Sequence, residues 1–520
     1  MTLATLDQII FVIYLVGLLF IAYWVSRDDQ SHQKDTNDYF LAGNSLPWWA
    51  IGASLIAANI SAEQIIGMSG SGYAIGLGIA SYEWMAALTL MLVGKYLLPI
   101  FLKRKIYTMP QFLQQRFDNR VRTTLALFWL AVYVFVNLTA VLWLGALAVN
   151  AMTGYELTTS MLLLALFSVA YSLYGGLKAV AYTDILQVVL LVFGGIFMSY
   201  LALNMISGDT GVLAGFNLLL EKAPQKFDMI LTPDNPYYKD LPGIAVLVGG
   251  LWFMNLSYWG FNQYIIQRAL AAQSLQEAQK GIAFAAFLKL LMPLIVVLPG
   301  IAAVLILPDL AKPDQAYPQL MTLMPVGLKG LIFAALVAAI LSSLASMTNS
   351  IATLFTMDVY AQLKPNQSQK HYVTVGRVSS LVALVVALLT AKPLLGEFDQ
   401  AFQFIQEFTG FFTPGIVVLF LLGMFWKRTT ALAALVSAVG SLVLSLALKQ
   451  FWPELPFMDR VGYVGVLCAV FAVATTLLAK APAHAGAVEI KDIDFSTSRG
   501  FNFAFAMVCL ILVVFYSIWW

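Results

Sequence analysis

Ser54-Leu55-Ile56-Ala57-Ala58-Asn59-Ile60-Ser61-Ala62-Glu63-Gln64 is the stretch that decides the fold. It lies inside an apolar run, 50–72, long enough to cross roughly 30 Å of bilayer hydrocarbon. Yet Asn59, Ser61, Glu63 and Gln64 stand near its middle. In lipid every polar group must find a partner within the protein, so the interruption predicts a helix that breaks around a cavity. A second run, 243–265, is interrupted in the same way by Asn255, Ser257, Tyr258, Asn262 and Gln263, five spans later. Interrupted segments at corresponding positions point to two repeats with a ligand held at the breaks, and an odd repeat length inverts the second copy.

Working outward, a window of about 19 residues marks about fourteen spans. They lie near 8–26, 50–72, 79–101, 123–149, 158–175, 184–206, 243–265, 281–306, 330–357, 373–391, 403–425, 430–449, 461–479 and 500–518. The expected fold is therefore all-α and membrane-embedded: a single domain over 1–520, with a first repeat at 50–206, a second, inverted repeat at 243–425 and additional helices over 430–520. One helix precedes the repeats and three follow. The first run lacks a basic leading region, is preceded by Asp7 and has no small-residue cleavage site after it, so it is read as a retained helix and not a signal peptide. Placing the N-terminus outside puts most Lys and Arg on the cytoplasmic side, including Lys103, Arg104, Lys105, Arg116, Arg120 and Arg122. Both termini are then outside. The external loop 207–242 has room for a short surface helix, and 480–499, with Pro482 and Gly486, reads as a solvated connection.

The composition agrees. Of 520 residues, 60% are hydrophobic and 11% charged, against roughly 25% charged in soluble domains. The net charge of +2 and the lack of a dense basic tract remove the electrostatic footprint of nucleic-acid binding. Cys468 and Cys509 sit in apolar runs, and His32, His371 and His484 are far apart, which speaks against a disulfide framework and a Cys/His metal site. Ser342 and Glu83 could be imagined as hydrolytic groups. No histidine falls in a span, however, and neither HExxH nor GxSxG is present.

Glu83 and Lys289 are ionisable residues deep inside spans, where isolated charges cost at least a few kcal/mol. They form either a structural ion pair or, with the uncharged polar groups of neighbouring spans, a wet cavity for a polyhydroxy ligand, since a sugar hydroxyl both donates and accepts. Tyr258 lies deeper than an interfacial belt; it either packs against helices or stacks on the apolar face of a sugar ring. Glu63 is expected to face the bundle and is not assigned to the ligand. In the ninth span Ala339, Ser342 and Ser343, at i, i+3 and i+4, share a face. Such serines commonly serve packing or bond back to their own helix, but a break near Asn59 frees carbonyls, for example of Ala57 and Ile60, and five neutral oxygens suit a hard alkali ion.

These residues resemble the sodium/solute symporters, and among them the bacterial sodium/sugar branch. The likeness runs nearly end to end. It rests on Ala42-Gly43 to Trp48-Trp49, the Ser54–Gln64 run, Tyr174-Gly175-Gly176-Leu177, Tyr258-Trp259-Gly260-Phe261-Asn262-Gln263, Gln267-Arg268 with Leu270-Ala271-Ala272, and Ser342-Ser343-Leu344-Ala345-Ser346. The resemblance implies the five-plus-five inverted repeat of the LeuT type and sodium-coupled uptake of a hexose, galactose or glucose, across a bacterial inner membrane. Sodium is then co-transported and no organic cofactor is involved; the partners are the sugar and the bilayer, with a homodimer left open. It further implies that Gln64, Glu83, Asn255 and Lys289, helped by Asn59 and Gln406, hydrogen-bond the sugar, and that Tyr258 stacks as inner gate. Met68, Tyr82 and Phe402 correspond to the outer gate, Ala57, Ile60, Ala339, Ser342 and Ser343 to the sodium site, and Asp184 to the ion's exit. Two positions depart from the sugar-carrying pattern: Ala86 replaces a serine one turn below Glu83, and Ser257 replaces a tyrosine beside Tyr258. The alternatives kept open are another small polar solute and a sugar sensor of the same fold.

Overall fold

The break expected near Asn59 is present. A computed structural model describes residues 3–26, 45–106, 108–172, 177–480, 482 and 486–520; Ala42-Gly43, Tyr174-Gly175-Gly176, His32 and His484 lie outside these. The helix Trp48–Asn59 ends at Ile60, whose ψ of 84° leaves the helical region. The chain resumes as a wide turn, Glu63–Met68, and a helix, Ser69–Ala74, and the two halves are bent by 64°. The second interruption lies at Asn262, whose φ of −79° and ψ of 124° are extended. It follows Gly250–Leu256 and the wide turn Ser257–Phe261, and its side chain caps the next helix, Gln263–Leu270, by accepting from the Tyr264 amide.

Among the described residues nine helices are long and apolar enough to cross a membrane, or up to eleven if each bent pair counts as one span; the second bent pair is Ala401–Thr409 with Thr413–Phe425, at 46°. Regular structure there is otherwise helical, save one isolated bridge between Leu46 and Ala272. The expected surface helix in the long loop is Val212–Lys222. The 480–499 connection is less solvated than its composition predicts, because Arg104 donates to the Ala487 carbonyl at 2.6 Å and Val488 is buried.

Side chains that face outward from the flanking helices are large and apolar, among them Leu389, Leu478 and Phe503. That is the exposure lipid permits and water does not. Inside, close packing depends on small residues. Trp48–Asn59 crosses Leu275–Met292 at Gly52 and Gly281: a Cβ on Gly52 would lie 2.6 Å from Phe284 Cδ1 and 2.7 Å from the Gly281 carbonyl. The second half, Ser69–Ala74, meets the continuation of the same helix, where a Cβ on Gly300 would lie 2.1 Å from the Ser69 carbonyl. Both halves of the broken helix thus run along 275–306. The first helix, Thr5–Ser26, packs on Leu328–Thr353. It is anchored by Asp7, whose Oδ1 accepts from the amides of Gly327 at 2.7 Å and Gly330 at 2.9 Å.

Candidate functional site

The two breaks face one another across one cavity. From Trp48–Asn59, the Glu63–Met68 turn and Ser81–Leu92 come Asn59, Gln64 and Glu83; from Gly250–Leu256, Ser257–Phe261, Leu275–Met292 and Ala401–Thr409 come Asn255, Tyr258, Lys289 and Gln406. Every residue expected to contact the ligand therefore lines one space. Tyr82 and Phe402 line it too, and both departures, Ala86 and Ser257, are on its wall.

Lys289 is buried and organises the polar side. Its Nζ donates to Glu83 Oε2 at 2.5 Å and to Asn59 Oδ1, and it lies 5.0 Å from the Trp259 ring. Gln64 Nε2 donates to Glu83 Oε1 at 3.0 Å and to Asn59 Oδ1 at 3.3 Å. The ion pair and the cavity are thus one arrangement rather than two alternatives. Five buried polar atoms of lining residues have no hydrogen-bond partner among the described residues: Gln64 Oε1, an acceptor, Asn255 Nδ2 and Trp129 Nε1, donors, and the hydroxyls of Tyr82 and Thr409. Below them Asn59 Nδ2 donates to the Tyr258 hydroxyl at 3.1 Å, and that hydroxyl is 2.9 Å from the Tyr264 hydroxyl. Tyr258 is held edge-on to Trp259 with ring centroids 5.1 Å apart.

On the other side the Tyr82 and Phe402 rings meet edge to face at 5.2 Å and 84°. Both are buried, as is Met68; Met68 itself is not among the lining residues.

Ala57, Ile60, Ala339, Ser342 and Ser343 are all buried. Ser343 Oγ has no hydrogen-bond partner among the described residues, whereas Ser342 Oγ donates to Asp184 Oδ1 at 3.0 Å. A free hydroxyl beside one bound to a carboxylate fits an oxygen-ligated cation. Asp184 also accepts from Ser54 at 3.1 Å, and Arg268 donates to Ser54 at 3.0 Å and stands 3.6 Å from Asp184. The acidic residue is thus joined directly to the serine pair.

Seven lining residues were not singled out from the sequence, among them Asn137, Thr409 and Trp129. Asn137 donates to Glu63 Oε1 at 3.5 Å, Thr409 ends the helix Ala401–Thr409, and Trp129 adds an aromatic wall. Asn137, a polar residue in a long apolar span, carried the available signal. Glu63 departs from the sequence expectation: it lines the cavity instead of merely facing the bundle.

The sequence profile described as "Sodium:solute symporter family" matches residues 39–440. A Vibrio parahaemolyticus protein named sodium/glucose cotransporter is 52% identical, with 100% of this chain and 99% of that protein aligned. The Homo sapiens sodium/myo-inositol cotransporter 2 is 32% identical over 85% of this chain and 69% of its own length. Among solved structures, a Na⁺-coupled sialic acid symporter in a substrate-bound outward-open state superposes with a TM-score of 0.79 at 24% identity, covering 92% of this chain and 99% of that one. Mhp1, a nucleobase-cation-symport-1 family transporter, superposes with a TM-score of 0.53 at 13% identity, covering 91% and 99%. These two likenesses establish a common transporter fold. With the profile covering most of its length and a relative identical at more than half of the aligned positions, the chain belongs to the sodium:solute symporter family.

Proposed function

We propose that this protein is a sodium-coupled symporter that carries a hexose into a bacterial cell by alternating access. The observation that carries the reading is the set of buried polar atoms without partners on the cavity lining, above all the amide atoms Gln64 Oε1 and Asn255 Nδ2 beside the Glu83–Lys289 pair. Leaving such groups unpaired costs about 1–3 kcal/mol each. One needs a donor and the other an acceptor, and a sugar hydroxyl is both. Glu83, Lys289, Asn59 and Gln406 supply further polar contacts, and the Tyr258 ring is placed to stack on the apolar face of the pyranose. Tyr258 is the inner gate; Tyr82 and Phe402, with Met68 behind them, are the outer gate. Sodium is held by the carbonyls of Ala57, Ile60 and Ala339 and the hydroxyls of Ser342 and Ser343, and leaves past Asp184.

In this reading the chain has fourteen spans, with repeats at 50–206 and 243–425, additional helices over 430–520 and both termini outside the inner membrane. It works as a monomer or a homodimer. The support is the relation of the two breaks to one cavity and the fold shared with other coupled transporters. Radiolabelled uptake into proteoliposomes, with galactose, glucose and myo-inositol and with sodium against potassium, tests it. Concentrative hexose uptake in sodium alone is the expected result; equal uptake in both salts overturns it, and concentration of inositol without hexose redirects the substrate.

A further inference from the structure

The external turn Pro313–Gln315 is bound to both ends of the corner that leads into the outer-gate helix. Lys312 Nζ donates to the carbonyls of Gly396 and Phe398, at 2.5 and 3.1 Å, where Gln369–Leu395 has just ended. Asp314 Oδ2 accepts from the Ala401 amide at 2.8 Å, at the first residue of the helix that carries Phe402 and Gln406. The other oxygen, Oδ1, is buried and has no hydrogen-bond partner among the described residues. It faces Gly70 in the outer half of the broken helix, where a Cβ would lie only 2.4 Å away. Asp314 is 2% exposed. One carboxyl is therefore wedged between the two elements that an outer gate must separate.

We propose that Asp314 is a positioning residue for the sugar site: wedged between Gly70 and the Ala401 amide, it sets where Phe402 and Gln406 stand, and it binds a proton from outside when the outer gate closes. A carboxylate with a single amide donor is costly to bury. Ser69–Ala74 offers no titratable side chain against it except Tyr73 at its outer end, which bonds to the carbonyls of Leu307 and Pro308. Thr139–Thr153 offers none, and Ala316–Thr322 brings only Tyr317. The Glu63–Met68 turn brings only Glu63, which lies at the cavity. Lys312 attracts and Asp399 repels the charge. Burial, with Asp399 adding to it, pushes the Asp314 carboxyl up to about 7 in the closed arrangement, against the Ala401 hydrogen bond and Lys312.

Once the gate opens and water reaches it, the group returns toward about 4. The closed form then binds the proton more tightly, so acid favours closure. The closed-to-open ratio falls about tenfold per pH unit between those two values and levels off above the higher one, which makes it about tenfold larger at pH 6 than at pH 8.

Nitroxides on exposed Glu397 and Leu213 of the full-length protein, with distances measured by double electron–electron resonance in sodium without sugar, read this directly. In the parent the closed-to-open ratio should fall about tenfold from pH 6 to 8. Asp314→Asn keeps an acceptor for Ala401 and is neutral at every pH, so it should stay closed at both. If that variant fails to insert, Asp399→Asn, which removes the repelling charge at an exposed site, should move the midpoint to lower pH. A parent that does not respond to pH, an Asp314→Asn protein that responds like the parent, or an unmoved midpoint in Asp399→Asn overturns the proposal. The inference rests on the symporter reading only in calling this helix a gate, and because the measurement uses no sugar, failed hexose uptake and a failed latch are separate results.

Discussion

Lys289 is the residue whose removal is felt most widely, because its single ammonium holds Glu83 and Asn59 and sits against Trp259. Lys289→Ala leaves Glu83 buried and uncompensated, a loss of about 3–5 kcal/mol for a broken buried pair. Uptake should be abolished. Glu83→Gln keeps the shape but leaves one oxygen for two donors, Gln64 and Lys289, and strips the buried ammonium of its counter-charge, so transport should fall by well over tenfold even where the protein still inserts. Normal uptake by either variant at equal membrane level would remove them from the site. Ser343→Ala deletes the free hydroxyl of the serine pair and should raise the sodium concentration for half-maximal uptake with little change in thermal stability; an unchanged sodium curve would place the ion elsewhere. The identities of Glu83, Lys289 and Gln64 could be read from the chain because polar groups are rare and costly in lipid. The direction of Glu63 could not. It follows the break at Ile60 and sits in a wide turn, Glu63–Met68, so the helical period of Trp48–Asn59 does not carry across to it.

The broken helix and its long partner form the element on which alternating access depends. Both halves lie against 275–306 through glycines, so a side chain at either crossing pushes that half away. Gly281→Leu would drive atoms into Ile51 and the Trp48 carbonyl, and Gly300→Leu into the Ser69 backbone. Overpacking of this kind typically costs about 1–3 kcal/mol. Each variant should lower the melting temperature in detergent, and Gly300→Leu, on the outer half, should reduce sugar binding from outside more than Gly281→Leu does. Equal effects on binding would mean that the halves do not move separately. The breaks themselves were legible, since polar clusters such as Asn59 to Gln64 and Asn255 to Gln263 cannot stay in an unbroken, lipid-facing helix without leaving their groups unpaired. The ties of Asp314 to Ala401 and of Asp7 to Gly330 were not, because each joins residues far apart in sequence and only the folded chain sets the register between them.

For the whole molecule the predicted quantity is coupling. One sodium entering gains about 2.3 kcal/mol per 100 mV, and a tenfold gradient adds about 1.4 kcal/mol, which limits one-to-one symport to a few hundred-fold sugar accumulation. Sodium between the first broken helix and Leu328–Thr353 should favour the arrangement that presents Asn59 and Gln64 to sugar, and linkage requires sugar to tighten sodium by the same factor. Calorimetry should therefore give stronger hexose binding in sodium than in potassium at equal ionic strength, with Ser343→Ala reducing the difference and Tyr258→Ala weakening sugar binding in both salts. Identical affinities in the two salts would sink the coupling scheme. The pairing of Glu83 with Lys289 also bears on how the protein is made. The two are 206 residues apart, and at about 5–20 residues per second the ribosome takes roughly 10–40 s to deliver the lysine after the glutamate. Throughout that interval the early spans sit in the membrane with Glu83 held by Gln64 but lacking its counter-charge, and with the Gly52 face of Trp48–Asn59 bare. The nascent chain should need shelter at the insertion machinery until Leu275–Met292 emerges, and a ribosome stalled between residues 90 and 280 should leave a fragment that quality-control proteases recognise by its buried, unpaired charge.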